Sequence, residues 1–584
     1  MAIDLPPVIP PQLAKLEVLE QYASGATPYV GIVNGYELRV TGDHHLTDDE
    51  MAKIFAAANT PSQAIILMNS LAYRKGHLLV TMQYAPDVSI VHVHAVQGTV
   101  RRVEGEGVAE YFELLKGDSD LTRADFDRAR VMANVRSERA GVDYTAQFVV
   151  DEGNPADVTL VFEGTPAEDY DPTDLTLKVG NQGSRYVGRY FGDVGLSHEF
   201  KNGVKASAAY QTAFTDLGES RGGEDYHRIQ LGADRPFASG LYGINVSHVE
   251  YSQDFGSAAT TGGFPGLVDT VNSLTSPLGL GNLGDILLGN LSGTGVQGAD
   301  LDADINSIVL TGEQVLASDL DYRFNLFQRI DYIDSQIDVS RTGVIDPDEA
   351  SEFALQDEKY GVVEVGVKYF GAKALEDKLM RWSAQFAVAA GVTGDSGTLG
   401  TYKEFREAAL DENPGADVPE VAPAARTAEF IALKPKVSLK IPTSPDGSIN
   451  GSFVGQFADE QLPQQQQWVL GGMTTLAAYL PGVLVGDSGY FGLVNYEHVF
   501  PAEVAKITGS VFAEYGTAWY ENVSGSLGDE RSIADAGVRV RAEFGWDVTV
   551  DAVAARKIAD DGFEDEDELD KLEADFYITL KKVF

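Results

Sequence analysis

The chain has 584 residues, with 88 acidic against 44 basic side chains and a formal net charge of −44 at pH 7. This charge argues against nucleic acid as a partner, because phosphates would be repelled. The absence of cysteine excludes disulfides, thiolate nucleophiles and cysteine-ligated metal centres. Neither a secretory leader nor a run of 18 apolar residues is present. A cytoplasmic protein fits these facts, and so does a processed outer-membrane barrel, whose alternating strands leave no hydropathy peak.

The first 170 residues predict a short helix followed by two small α+β units. Helical spacing of apolar residues over Gln12–Tyr22 places an amphipathic helix in the N-terminal segment 1–29. Residues 30–98 and 99–170 then repeat one plan, a strand, two helices and two strands. Each unit is large enough for one small core, and its sheet edges suit an extended peptide bound by strand addition.

The histidines of this region do not predict a metal site. His92 and His94 share one face of a strand, and His44 and His45 lie in a turn. Because no carboxylate stands nearby at ligand spacing, we interpret these histidines as structural or solvated. We therefore predict no metal and no other cofactor.

Residues 171–584 predict an all-β barrel of about 16 antiparallel strands. Short alternating segments begin at 175–180 and end at 575–584, and their connections alternate between short and long. Short periplasmic turns and long extracellular loops are typical of outer-membrane barrels. The long connections are expected at 256–304, 340–359, 394–426, 462–488 and 558–574.

Charge lies on only one face of the predicted strands. In 533–545, Val538 and Val540 face one way, while Arg539 and Arg541 face the other. This pattern favours lipid outside and a wet lumen inside. The last strand carries an aromatic and aliphatic row on one face, formed by Phe576, Ile578, Leu580 and Phe584.

Three motifs add a family resemblance. The first α+β unit contains Tyr73, Gly76, Pro86 and Gly98, and the start of the barrel reads NQGSRYVGR at 181–189. The predicted sixth outer loop carries the third motif, with Glu497 following it: Gly471, Gly472, Leu476, Ala477, Ala478, Tyr479, Gly486, Asp487 and Gly489. These motifs and their order resemble the haemolysin and haemagglutinin transporters of two-partner secretion. That family has periplasmic POTRA (polypeptide-transport-associated) domains before a sixteen-stranded barrel.

The resemblance implies roles for residues of the lumen, and the sequence departs from it at one of them. The family has an arginine at the tip of the sixth loop that pairs with an acidic residue of a later strand. Here Ala477 replaces the arginine and Ala478 the following glycine, whereas Glu514 matches the acidic residue. Glu514 would pair instead with Arg539 or Arg541, or stay hydrated.

The N-terminal helix is a second departure. The family's helix plugs the pore on a long linker, but about 12 residues separate Tyr22 from the first strand here. They span at most ~40 Å, so a plug role for Gln12–Tyr22 is left open. The resemblance also implies that the last-strand row 576–584 is the signal for barrel assembly.

The function that the resemblance implies is export of a partner protein, in extended form, across the outer membrane. The POTRA-like domains would lie in the periplasm, and the barrel would be a monomer in outer-membrane lipid, inserted by the barrel-assembly machinery. No catalytic constellation is present, so we predict no enzyme activity. Two alternatives remain: an insertase that uses a lateral seam between 175–180 and 575–584, and a passive porin with a periplasmic binding module. Acidic clusters at 346–352, 486–489 and 560–575 lack EF-hand spacing and are read as solvated loop tips or calcium ligands.

Overall fold

The computed structural model describes residues 3–151, 153–183, 188–214, 225–254, 298–342, 352–375, 378–393, 399, 426–523, 528–563, 569–570 and 572–584. Among these residues, no helix combines the length and the apolar character needed to cross a membrane.

The first domain is a five-stranded sheet with two helices on one face and a third helix beside it. Its elements are β1 (Gln12–Leu13), α1 (Leu16–Ala23), β2 (Tyr29–Val33), β3 (Tyr36–Gly42), α2 (Asp48–Ala57), α3 (Pro61–Arg74), β4 (Val80–Asp87) and β5 (Ile90–Gln97). The strand order is β1-β4-β5-β3-β2. Helix α2 starts at a capping box in which Thr47 and Glu50 satisfy each other's backbone N–H groups. The predicted helix 12–22 begins only at Leu16, because Gln12 and Leu13 pair with β4 instead.

The second domain follows the predicted plan with a smaller sheet. It contains β6 (Thr99–Glu104), a 3₁₀ helix (Ala109–Leu115), α4 (Arg123–Ala140), β7 (Val142–Val150) and β8 (Asp157–Pro166). Its core is largely aliphatic and contains three phenylalanine rings in contact, Phe112, Phe126 and Phe162. The sheet order is β6-β8-β7, so in the described part of the chain β7 pairs with a neighbour on one side only.

A closed barrel of sixteen antiparallel strands follows, as the sequence predicts. Two further short strands, β20 (Trp468–Leu470) and β21 (Leu484–Gly486), form a separate hairpin. The barrel strands are β9 (Thr173–Gly180), β10 (Phe191–Glu199), β11 (Lys205–Ala213), β12 (Asp225–Phe237), β13 (Gly240–Asp254), β14 (Gly298–Ser318), β15 (Tyr322–Thr342), β16 (Glu352–Leu375), β17 (Lys378–Thr393), β18 (Ile431–Pro442), β19 (Gly447–Ala458), β22 (Ser488–Pro501), β23 (Ala505–Trp519), β24 (Arg531–Phe544), β25 (Val548–Asp561) and β26 (Tyr577–Val583). Strand β26 pairs with β9 and closes the ring.

The outer surface of the barrel is apolar. Its exposed aliphatic side chains include Val538 and Val540 of β24. The last-strand row is also exposed on this surface: Phe576, Ile578, Leu580 and Phe584. Arg539 and Arg541 point to the other face and make polar contacts there. This apolar exterior has the character that faces lipid in outer-membrane barrels.

Several strands are longer than the sequence predicts. Strand β14 begins at Gly298, β15 continues to Thr342 and β16 begins at Glu352, so the loops predicted at 256–304 and 340–359 are shorter. Along β14 the outward face changes from Ile308 and Leu310 to acidic side chains nearer the loop. The ladder hydrogen bonds do not require an apolar face, so the strands continue beyond the apolar zone. Alternation of apolar residues alone locates only the zone in contact with lipid.

The second domain is seated on the end of the barrel that carries the short turns, here called the turn end. Arg139 of α4 forms an ion pair with Asp234 at 2.5 Å, and the hydroxyl of Tyr111 donates to the carbonyl of Pro236 at 2.9 Å. Between α4 and the inner wall lies a cavity of about 770 Å³, lined in part by charged side chains. Its lining includes Asp127, Arg130, Arg323, Arg381, Lys440 and Glu497. The lumen is therefore open and polar next to the second domain.

Candidate functional site

The sixth outer connection of the barrel, residues 459–487, folds into the lumen and is here called loop six. Its two arms pair through β20 and β21, and its tip lies between them. Leu476, Ala477 and Tyr479 of the tip have no exposed surface. They pack with Phe512, Ile533 and other side chains of the inner wall in one apolar cluster. The loop-six residues at the tip that were singled out from the sequence thus meet inside the barrel and pack on its inner wall.

Two glycines let the chain turn at the start of the tip. Gly471 and Gly472 adopt φ of 114° and 95°, which L side chains rarely reach. Thr475 then closes the turn, accepting from Gly471 N and donating to Gly471 O, both at 3.1 Å. At the base, Gly489 lets Trp468 lie against the strand, since a Cβ there would come within 2.3 Å of the indole nitrogen. These glycines place the arms against the wall.

Two carboxylates of the wall hold the tip by its backbone. Ala477 N donates to Glu514 Oε2 at 2.9 Å, and Ala478 N donates to Asp535 Oδ2 at 2.8 Å. Glu514 and Asp535 are directly opposite each other on β23 and β24, and both are buried. Backbone amides thus take the position that the resemblance assigns to an arginine. We call these two hydrogen bonds the amide latch.

The two arginines considered as partners of Glu514 contact other groups. Arg541 binds Asp551 at 2.7 Å, and Arg539 donates to the carbonyl of Met473 in the loop at 2.7 Å. Arg539 also lies 3.8 Å from Asp551. Glu514 is therefore not paired with either arginine of β24; its carboxylate is buried and accepts from the tip of loop six instead.

Glu497 lies away from the tip. It accepts from Asn450 Nδ2 at 3.3 Å and is 3.8 Å from Lys440 Nζ, in the cavity at the turn end. Of the charged residues predicted to act together in the lumen, only Glu514 and Arg539 contact loop six directly. Glu497 instead belongs to the open part of the lumen.

Asp487 anchors the returning arm of loop six. Its side chain is fully buried and accepts from the backbone N–H groups of Leu462 at 2.9 Å and Glu521 at 3.1 Å. It therefore ties both ends of loop six to the neighbouring outer connection. The GDSG sequence at 486–489, considered as a calcium site, is occupied by these internal hydrogen bonds.

The tip also binds the end of the chain. Leu480 N donates to Leu572 O, and Ala574 N donates to Ala478 O, both at 2.8 Å. The hydroxyl of Tyr577, on the inner face of β26, donates to Tyr479 O at 2.5 Å. Loop six is thus hydrogen-bonded to the last strand as well as to β23 and β24.

The last strand has a short pairing with the first. β9 and β26 pair over five residues, Thr176–Gly180 with Thr579–Val583, whereas β22 and β23 pair over fourteen. Asn181 extends this seam, since it donates to Phe576 O at 2.9 Å and accepts from Ile578 N at 2.6 Å. Arg189 of the same motif lies 6.0 Å from the Tyr577 ring. Three other residues of this motif fall outside the described residues: Ser184, Arg185 and Tyr186.

The N-terminal helix packs on the first domain rather than in the lumen. Leu19 is buried, and the Tyr22 ring stacks on His94 at a centroid distance of 5.0 Å. Upstream, β1 adds to the edge of β4, and Asn69 Nδ2 donates to Ile9 O. In this state α1 therefore does not plug the pore.

The four motif residues of the first domain are spread around that domain. Tyr73 hydrogen-bonds Pro6 O of the N-terminal segment, and Pro86 lies near the end of β4. Gly76 and Gly98 lie where the two domains join, with Gly98 N donating to Leu79 O at 3.1 Å. These residues shape the first domain and its joint and do not form a binding site.

Sequence reasoning missed the role of Asp535 as the second acceptor of the amide latch. Alternation along β24 puts Asp535 on the same face as Arg539, but nothing local shows which loop reaches it. The hydrogen bond of Tyr577 to the tip was missed for the same reason. Both contacts join residues that are far apart in the chain.

Comparisons with known proteins identify the fold. No protein-family model matches the chain, and no curated protein matches it significantly. Among solved structures, CdiB from Escherichia coli aligns with a TM-score of 0.63 at 13% identity, over 96% of this chain and 92% of that one. CdiB from Acinetobacter baumannii aligns with a TM-score of 0.57 at 11% identity, over 97% and 96%. BamA from Haemophilus ducreyi lacking POTRA domains 1–3 follows at a TM-score of 0.47 and 12% identity, over 95% and 100%. The chain therefore has the fold of the CdiB structures, α+β domains followed by a sixteen-stranded barrel.

Proposed function

We propose that this protein is an outer-membrane translocase that exports a partner protein, as in two-partner secretion. The observation that carries the proposal is loop six, whose tip lies inside a sixteen-stranded barrel and is held on the inner wall by two carboxylates and by apolar packing. A loop held inside a barrel is suited to a lumen that opens intermittently. The similarity of the fold to CdiB, a two-partner secretion transporter, supports the proposal of export.

The second domain supplies the capture step of the proposal. Strand β7 has one unpaired edge in the described chain, and Val149 on it is exposed. An extended segment of the partner would add to this edge through main-chain hydrogen bonds. The domain contacts the turn end of the barrel beside the open, charged cavity. In this scheme the domains lie in the periplasm and the turn end faces them.

Export supplies the test of this proposal. A variant lacking residues 30–165 should insert as a heat-modifiable barrel and export nothing, measured as partner protein in the medium of cells that express both. Secretion at the full-length level from that variant would contradict the proposal. The proposal includes a monomer in outer-membrane lipid, and the row 576–584, exposed on the barrel exterior, as the signal read by the barrel-assembly machinery.

A membrane-protein insertase is the second candidate, favoured by the short β9–β26 seam. An insertase would open this seam, whereas a translocase uses the lumen. The chain has no cysteine, so a Thr176→Cys/Val583→Cys pair, opposite each other across the seam, can be crosslinked selectively. Crosslinking should block the activity of an insertase and spare that of a translocase, so export that continues with the seam crosslinked would favour the translocase.

A further inference from the structure

The joint between the two α+β domains is closed by backbone hydrogen bonds. Leu78 N donates to Leu121 O at 3.1 Å, and Arg123 N donates to Gly76 O at 2.9 Å. His77 and Thr122 form an isolated antiparallel bridge between them. The residues before β4 therefore lie directly against those before α4. Side chains from the two domains meet at this point.

Two imidazoles and a carboxylate converge at the joint. His45 and His77 of the first domain stack with ring centroids 3.7 Å apart, and His77 Nδ1 is 3.1 Å from Asp120 Oδ1 of the second domain. The donor atoms of all three residues lie within 4.8 Å of one another. This cluster is not visible in the sequence, because the carboxylate comes from the other domain.

The surroundings of His45 resemble a supported metal ligand. Gln97 Oε1 lies 3.1 Å from His45 Nε2, so it can fix one ring nitrogen and leave Nδ1 as a donor atom. His45 has φ of 55°, and Lys75 Nζ holds its carbonyl at 2.8 Å. The amide nitrogen of Gln97 is buried without a hydrogen-bond partner. Packing alone does not account for such a polar arrangement.

We propose that His45, His77 and Asp120 bind one divalent transition-metal ion of the zinc class, and that this ion fixes the angle between the two domains. Imidazole and carboxylate ligands suit Zn²⁺, at bond lengths near 2.1 Å that place neighbouring donor atoms about 3.4 Å apart. The two rings now stack with an interplanar angle of 11°, so binding requires one imidazole to turn out of the stack until both ring nitrogens point at the ion. Water or Asp43, whose carboxylate is 3.6 Å from His45 Nδ1, completes four ligands. The inference does not depend on the proposed translocase function.

The binding test uses the full chain in detergent with Zn²⁺ as the probe. Because the chain is strongly acidic, the titration is run in millimolar Ca²⁺ and Mg²⁺, which saturate carboxylate clusters and compete weakly for imidazole. The expected result is one tightly bound Zn²⁺ per chain. His45→Ala, His77→Ala and Asp120→Asn should each weaken binding at least tenfold, and His92→Asn, in the same domain, should not.

Two results would overturn the proposal: no saturable Zn²⁺ site under these conditions, or a site that Asp120→Asn and His77→Ala leave unchanged. Asp120→Asn should leave the fold intact, because the Asp120 side chain is 57% exposed, so its loss of Zn²⁺ binding would not come from misfolding. The geometric part is tested with spin labels at Ile66→Cys and Leu114→Cys, exposed positions on the two domains. Zn²⁺ should narrow the distance distribution between the labels, and Asp120→Asn should abolish the narrowing. An unchanged distribution with Zn²⁺ bound would refute the role in fixing the joint.

Discussion

Removing the amide latch should open the barrel. Glu514→Ala leaves the N–H of Ala477 buried without an acceptor, and Asp535→Ala does the same to Ala478. A hydrogen bond to a charged group contributes about 1.5–3 kcal/mol. Because the two carboxyl groups are opposite each other, each single variant leaves the other group in place to hold the tip. We therefore expect each single variant to lose a free energy at the low end of this range, which is about a tenfold rise in the open population. The double variant should raise the open population at least a hundredfold.

The assay is single-channel recording in planar bilayers. The quantity measured is the fraction of time in the fully conducting state, which should rise from wild type through the single variants to Glu514→Ala/Asp535→Ala. Glu514→Gln keeps a carbonyl acceptor and should have a smaller effect. Glu497→Ala is the matched control, because this carboxylate lines the lumen without touching loop six.

The reasoning fails if the double variant, inserted as a heat-modifiable barrel, opens no more often than wild type. It fails equally if Glu497→Ala opens the barrel as much as the double variant does, since the effect would then come from lumen charge alone.

Three further predictions concern the first domain and the seam. Asn69→Ala removes the buried hydrogen bond to Ile9 O, at a cost of about 1–3 kcal/mol, and should speed hydrogen exchange in residues 3–13; unchanged exchange would contradict it. Asn181→Ala removes two hydrogen bonds across the seam and should speed exchange of the Ile578 amide without affecting β22 and β23. Burial lowers the pKa of His94 below its ordinary 6.5, so the neutral ring stabilises the folded domain above pH 6.5 and this stability is lost as the pH falls. Helix α1, stacked on His94 through Tyr22, should therefore exchange faster at pH 5 than at pH 7.5 after correction for intrinsic rates, and His94→Gln should remove the difference.

The barrel was predictable from sequence because the patterns that indicate it are local. Each strand alternates between an apolar and a polar face, and connection length alternates with strand number. The capping box at Thr47 and Glu50 was predictable for the same reason. Strand ends were less so: beyond the lipid zone the ladder continues while the apolar pattern stops, as at Asp302 on β14.

The candidate site was only partly predictable. The loop-six motif and the inward direction of Glu514 follow from the sequence, but the amide latch does not, since a backbone N–H has no residue-specific signature. The joint cluster escaped for a related reason, because His45 and Asp120 are brought together only by the packing of two domains. The docking of α1 on β4 and β5 likewise depends on tertiary contacts of Leu19 and Tyr22.

The hydrogen bonds between the tip of loop six and the end of the chain have a mechanical consequence. The tip is tied to Leu572, Ala574 and Tyr577, and Tyr577 begins the strand that closes the barrel over only five paired residues. A force that withdraws the loop from the lumen is therefore transmitted to β26 before these bonds break. Withdrawal of loop six and loosening of the barrel wall at β26 are thus mechanically coupled. Any movement of loop six out of the lumen would therefore also strain the seam between β9 and β26.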